Sequence, residues 1–197
     1  MSFAILDDST FVAGLEFLSK ADADLNEILV KHGTPELHLR DAGFETLVQL
    51  ILEQQVSVAS ARAVYEKLAR TLIPFTPENL LTLDDFTLKS CGLSRQKTLY
   101  CRELSTAVVE KRLNVEALET LDEEAVFNEL VKIRGIGRWT SDVYLLFSLR
   151  RADAFPVGDL ALQIAVQRAK NLEARPTQEQ LLKIGEIWKP YRGVATK

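Results

Sequence analysis

Apolar residues recur along this chain at spacings of three and four, and no long run alternates with period two, which predicts helices rather than strands. Phe11–Leu18 is one such stretch. Ala21–Val30 is the next, carrying Leu25, Ile28 and Leu29, and Gly33–Pro35 breaks the pattern. Phe44, Leu47, Val48, Leu50, Ile51 and Leu52 crowd a third stretch so densely that it predicts a buried helix. After Glu53-Gln54-Gln55-Val56, Ser57 is placed to cap a helix over Val58–Leu72, with Ala61, Val64, Tyr65 and Leu68 as its apolar stripe. Pro74 and Pro77 end that helix, and short turns follow over 77–81 and 84–89. Ser94 caps a helix to about Val109, and 114–119 is another short turn. Helices over 122–131, 138–149, 159–169 and 178–188 complete the series, before a last segment that starts at Pro190. The fold class this predicts is all-α, with no internal repeat and no low-complexity tract.

Composition narrows the picture. A length of 197 residues suits one domain or two small lobes sharing a cleft. The sequence is 47% hydrophobic and 26% charged, enough for a core and unlike a disordered chain. No window reaches the roughly 18 apolar residues of a membrane span. Met1–Thr10 carries Asp7 and Asp8 without a basic residue, unlike a secretory or transit signal. The expectation is a cytoplasmic protein with no membrane association. Cys91 and Cys101 are the only cysteines, too few for a four-cysteine zinc or iron–sulfur site, and read as reduced thiols. With only His32 and His38 beside them, a metalloenzyme is not expected.

The net charge of −4 argues against a nucleic-acid binder if taken alone. Its distribution does not. Residues 1–50 hold 3 basic and 9 acidic groups, residues 51–130 hold 9 and 13, and residues 131–197 hold 12 and 6. The last third can present a basic face to a phosphate backbone, or the excess is ordinary solvated charge.

Two short motifs in that third carry candidate chemistry. Gly135-Ile136-Gly137 joins two helical patterns with almost no linker. Glycines permit crowded or left-handed backbone, and Ile136 can plug into the core and pin the turn. The next helix starts at Gly137, Arg138 and Trp139 with unpaired N–H groups and the positive end of its dipole, which suits an anion. Lys132, Arg134 and Arg138 add charge at the same tip, and Thr140 can add a hydroxyl. The plainer alternative is a turn with no ligand. The second motif is Asp153-Ala154-Phe155-Pro156-Val157-Gly158-Asp159. Asp159 precedes a helical pattern, so it is placed as an N-cap and expected to be a carboxylate at neutral pH. It is either a cap alone or an anion able to stabilise positive charge developing on a sugar and to orient a water.

The runs Val131–Thr140 and Phe155–Asp159 together resemble the helix-hairpin-helix DNA glycosylase superfamily (HhH-GPD), and more closely its DNA-3-methyladenine glycosylase II branch. Leu50–Val58 resembles that branch's "I-x-x-Q-Q-x-S" segment, Gly92-Leu93-Ser94 with Lys97 its "G-x-S-x-x-K", and Trp188–Arg192 its "W-x-P-Y/W-R-S". The resemblance spans about residues 40–197. It implies a two-lobed helical fold, with lobes over 1–45 plus 132–197 and over 46–131, and the helix-hairpin-helix over 122–149. It implies a monomer acting on double-stranded DNA, nucleoid-associated or nuclear according to the cell. A damaged nucleotide would be flipped into a cleft between the lobes.

Carried onto this sequence, the resemblance makes Asp159 the catalytic aspartate. It assigns DNA contacts to Arg134, Gly135, Ile136, Gly137, Arg138 and Thr140, to Gln55 and Ser57, and to Leu93, Ser94, Arg95 and Lys97. Val56, Leu93 and Arg95 are the candidates for filling the vacated gap. Trp139, Tyr144, Tyr65 and Gln54 are the candidates for the base pocket. No cofactor is implied beyond a Na+ or K+ on hairpin carbonyls near Ile133 and Gly135. Lyase-competent relatives have a lysine where this chain has Trp139, so hydrolysis without strand cleavage is implied. The aromatic often found four residues after that tryptophan is Val143 here, with Tyr144 beside it. The substrate class implied is alkylated bases of the 3-methyladenine and 7-methylguanine type. The alternatives are uracil, mismatched thymine or hypoxanthine on the same fold, a non-catalytic module that binds alkylated DNA, or a helical scaffold without DNA function.

Overall fold

Helix caps punctuate the computed structural model, which describes residues 3–197. Asp7, Asp22, Ser57, Thr76, Asp84, Ser94, Asp122, Asp159 and Thr177 each stand at an N-cap and accept a backbone N–H from the first turn. The helices they open, with α3 and α9, are α1 (Asp8–Ala21), α2 (Ala23–His32), α3 (Phe44–Glu53), α4 (Val58–Thr71), α5 (Pro77–Thr82), α6 (Asp85–Ser90), α7 (Arg95–Val109), α8 (Glu123–Leu130), α9 (Arg138–Phe147), α10 (Leu160–Ala169) and α11 (Gln178–Ile184). A last short helix, α12, covers Arg192–Ala195, and 3-10 turns cover Glu116–Thr120 and Gly185–Trp188. Among the described residues there is no sheet, and only Ile5 and Arg151 form an isolated antiparallel bridge. The fold is all-α. No helix among the described residues is long and apolar enough to cross a membrane.

The chain divides into two units. One is Asp41–Tyr144, and the other joins residues up to Arg40 with Leu145–Lys197. The hairpin residues 132–144 therefore group with the middle of the chain, whereas the resemblance implied a place for them in the terminal lobe. The physical reason is packing on α3 and α7. Gln54 Nε2 donates to the Gly135 carbonyl at 2.8 Å and to Thr140 Oγ1 at 3.0 Å. The Tyr100 ring also lies where a side chain at Gly135 would be. Inside this unit Leu47, Leu50, Ile51, Leu68, Leu80 and Leu104 are fully buried.

In the other unit, the ends of the chain are tied by a charged cluster. Asp22 caps α2 and lies buried. Lys170 Nζ donates to its carboxylate oxygens at 2.6 and 2.7 Å and to Asp24 at 2.7 Å, while Trp188 Nε1 donates at 2.7 Å. Burial pushes the Asp22 carboxyl up, but the hydrogen bonds from Lys170 and Trp188 outweigh it and hold the pKa below the ordinary value of 3.8. The folded state therefore binds the Asp22 proton less tightly than the unfolded chain. This contribution is complete above the unfolded pKa and is lost as pH falls through the lowered folded value. Asp22→Asn keeps a capping oxygen and removes the charge facing Lys170. At pH 7 it lowers stability by about 3 kcal/mol. The gap from the parent narrows below about pH 4, as urea unfolding at pH 7 and pH 3 measures.

Candidate active site and nucleic-acid interface

The hairpin follows from its backbone. Gly135 sits at φ +97°, and a Cβ there would fall inside the Tyr100 ring, so both conformation and space require glycine. Ile136 is buried and its N–H donates to the Ile133 carbonyl at 3.0 Å, which closes the turn. Gly137 is exposed, with nothing within 4 Å of a built Cβ. The tip that faces outward is thus Arg134, Gly137 and Arg138. Helix α9 begins directly behind it, and the first N–H groups of a helix have no intrahelical acceptor.

Arg138 does not hang free. Its Nε donates to Asp142 at 2.9 Å one turn on, and its guanidinium lies 4.8 Å from the Phe127 ring centre. Asp142 is only 3% exposed, and burial pushes its carboxyl above the ordinary range, partly offset by Arg138. Lys132 pairs with Glu129 at 2.7 Å on the surface.

Several expected contacts take other roles. Gln54, expected in a base pocket, has its amide on the hairpin. Thr140, expected to offer a hydroxyl to phosphate, is buried and accepts from Gln54. Gln54→Leu strands the Gly135 carbonyl and the Thr140 hydroxyl, and it costs about 1–3 kcal/mol in urea unfolding. Leu93, a candidate for filling the DNA gap, is a core residue, because Gly92 at φ +102° turns the chain so that Leu93 packs inward. Lys97 donates to the Leu52 carbonyl at 2.5 Å, capping α3 instead of reaching outward. Burial lowers its pKa, partly offset by Cys101. Tyr144 is fully buried, and its hydroxyl accepts from the Gly43 N–H at 3.0 Å. Its ring has no face for a base, and burial pushes its hydroxyl up to about 12. Tyr65 is half-buried, hydrogen-bonded to Glu45, with its ring 6.1 Å from Phe75. Of the hairpin carbonyls, Ile133 accepts from Ile136 and Gly135 from Gln54, and each keeps a second lone pair.

Other expected residues do face solvent. Gln55 is exposed in the left-handed region at φ +57°, at the turn between α3 and α4. Val56 is exposed beside it, and Val58 is 79% exposed. Ser57 and Ser94 are spent as caps through Ser60 and Lys97, and Arg95 is exposed at the start of α7. Trp139 is half-buried on the first turn of α9.

In the other unit, Asp159 ends a heavily fastened connector. Its Oδ1 accepts the Leu162 N–H at 2.9 Å as the cap of α10, and its own N–H donates to Pro156 at 2.8 Å. Phe155, Pro156 and Val157 are buried, but Asp159 is only half-buried, so its carboxylate is not sealed in the interior. Gln163, from the first turn of α10, donates to the Val157 carbonyl at 2.7 Å. Sequence reading did not assign Asp142, Asp153, Tyr100 or Arg192 a place in the site. Of these, only Asp142 carries a local signal, standing four residues after Arg138, one helical turn on.

Comparison with known proteins fits this geometry. The family model described as "HhH-GPD superfamily base excision DNA repair protein" matches residues 48–190. The alkylbase DNA glycosidase-like protein mag2 of Schizosaccharomyces pombe is 28% identical over 95% of this chain and 92% of its own length. The putative DNA-3-methyladenine glycosylase YfjP of Bacillus subtilis is 28% identical over 92% of this chain, which spans 66% of that relative. Among solved structures, the Schizosaccharomyces pombe 3-methyladenine DNA glycosylase Mag1 in complex with abasic DNA superposes with TM-score 0.86 at 26% identity, covering 93% of each chain. A DNA-3-methyladenine glycosidase from Bacillus halodurans gives 0.80 at 29% identity, covering 100% of this chain and 89% of that one. The chain therefore belongs to the HhH-GPD superfamily of base excision DNA repair proteins, as a DNA glycosylase resembling DNA-3-methyladenine glycosylase II.

Proposed function

We propose that this chain is a monofunctional glycosylase that releases alkylated purines of the 3-methyladenine and 7-methylguanine type from duplex DNA, acting as a monomer. The observation that carries the reading is Asp159, a half-buried carboxylate held at a helix N-cap by the Leu162 N–H. Duplex phosphates dock on the hairpin tip at Arg134, Gly137 and Arg138, and Gln55, Val56 and Arg95 approach the bases. The damaged nucleotide leaves the stack most cheaply where alkylation has already weakened its pairing. Alkylation at N3 or N7 makes the base cationic, so little general acid is needed. The bond from C1′ to the base nitrogen breaks and its electron pair leaves with the base. Asp159 stabilises the positive charge that builds on the sugar, water attacks C1′ as the neutral base departs, and the proton that the water loses passes to bulk solvent. Trp139, half-buried on the first turn of α9, stacks on the cationic ring. Because position 139 is not lysine, no Schiff base forms and the strand stays intact.

The test is base release from defined duplexes carrying 3-methyladenine, 7-methylguanine, hypoxanthine or uracil. Release of the first two is expected, with strand breaks only after alkali and no adduct trapped by borohydride. Release confined to uracil or hypoxanthine would overturn the substrate class, and a trapped adduct would overturn the monofunctional assignment.

A further inference from the structure

The late motif Trp188–Arg192 takes no part in the chemistry above, yet its side chains converge on the connector that carries Asp159. Arg192 meets Asp153 through three donors. Its Nε and backbone N–H donate to Oδ1 at 2.9 and 3.2 Å, and its Nη2 donates to Oδ2 at 2.6 Å. Both side chains are largely screened from solvent, at 16% and 26% exposure, which favours a two-pronged guanidinium–carboxylate pair. The next residue, Gly193, donates its N–H to the Ala152 carbonyl at 2.8 Å. A Cβ at 193 would sit 2.7 Å from that oxygen, so the two backbones touch and no other residue fits without a shift.

Two residues further along the connector, Phe155 packs edge-on against Trp188, with ring centres 5.7 Å apart. A side chain at Gly185 would strike that ring at 2.6 Å. From Phe155 the chain needs only four more residues to reach Asp159, and Val157 is held by Gln163 on the way. The connector is thus gripped by the segment 185–193 at its start and middle, and by α10 at its end.

Asp159 lies on a connector rather than inside a helix, and a side chain so placed holds its position only as well as its supports. We propose that Arg192, acting through Asp153, is a positioning residue for Asp159. The pair fixes the start of the connector so that the carboxylate meets the sugar at reaction distance. This rests on the proposed role of Asp159. A displacement of about 1 Å at a reacting group costs on the order of 100-fold in rate. Loosening one end of the connector should therefore cost about 10- to 100-fold.

The experiment uses Arg192→Met, which keeps an unbranched apolar stem and removes the guanidinium fork, together with Asp153→Asn and the double variant. The readouts are the single-turnover rate constant for 7-methylguanine release at saturating enzyme, its amplitude, and the affinity for an abasic-site duplex. Each single variant is expected to lower the rate constant about 10- to 100-fold, with duplex affinity within about twofold. The double variant is expected to be no slower than the worse single, because both remove one interaction. Backbone hydrogen exchange at 154–159 is expected to quicken in all three, a readout independent of activity.

A purely structural pair would lower the amplitude, as folded enzyme is lost, and leave the rate constant of the remainder unchanged. That result overturns the proposal, as does unchanged exchange at 154–159, or a rate loss matched by an equal loss of duplex affinity. A slow Asp159→Asn beside variants that release at the parental rate sinks this proposal alone. A parent that releases no base sinks the functional reading and this one with it.

Discussion

Asp159→Asn lowers the single-turnover rate of alkylated-base release by about 100- to 1,000-fold, and affinity for duplex DNA stays the same or rises. The size follows from removing one preorganised charge that faces charge developing in the transition state. The substitution is discriminating because asparagine is itself a good N-cap. Its carbonyl oxygen can accept the Leu162 N–H that Oδ1 of Asp159 accepts at 2.9 Å, so α10 keeps its start. The variant loses a full negative charge and keeps the cap. Binding does not suffer, because a carboxylate repels phosphates and its removal eases their approach. Release at a rate near the parent's would mean that Asp159 is only a helix cap.

The second large effect separates two glycines that look alike in sequence. Gly135→Ala lowers stability by about 2–4 kcal/mol, because it forces a side chain into the Tyr100 ring and an L-residue to φ +97°. Gly137→Phe changes stability by less than about 0.5 kcal/mol, because the space around a Cβ there is open. It places a bulky group on the surface that a phosphate must approach. Affinity then falls for damaged and undamaged duplexes alike, since backbone contacts carry no sequence information. Urea unfolding and duplex titrations at one fixed salt concentration separate the two outcomes. Equal duplex binding by Gly137→Phe and the parent would remove the hairpin from the DNA interface.

The helices were legible because their signals are local. Apolar spacing and caps such as Ser57, Ser94 and Asp159 fix each start from a few neighbouring residues, and the structure places those caps where the pattern does. The start of the bridge at Ile5 was not legible, because a lone pairing to Arg151 leaves no alternation in the sequence. In the candidate site, the hairpin and Asp159 could be located from motifs. The direction of individual side chains could not. Gln54 turns back to brace Gly135, Lys97 turns in to Leu52, and Tyr144 disappears into the core, each because of a partner 45 to 101 residues away. The Arg192 and Asp153 pair spans 39 residues for the same reason. Spacing in the chain reports such pairs only when they fall on adjacent helical turns, as Arg138 and Asp142 do.

The most direct test is a crystal structure with a duplex in which a cationic pyrrolidine replaces the sugar of the flipped nucleotide. The expected result is an Asp159 carboxylate oxygen within about 3–3.5 Å of the ring nitrogen, with phosphates beside that nucleotide against Gly137 and Arg138. A carboxylate turned away from the cationic ring, or a duplex bound without touching the hairpin, would contradict it.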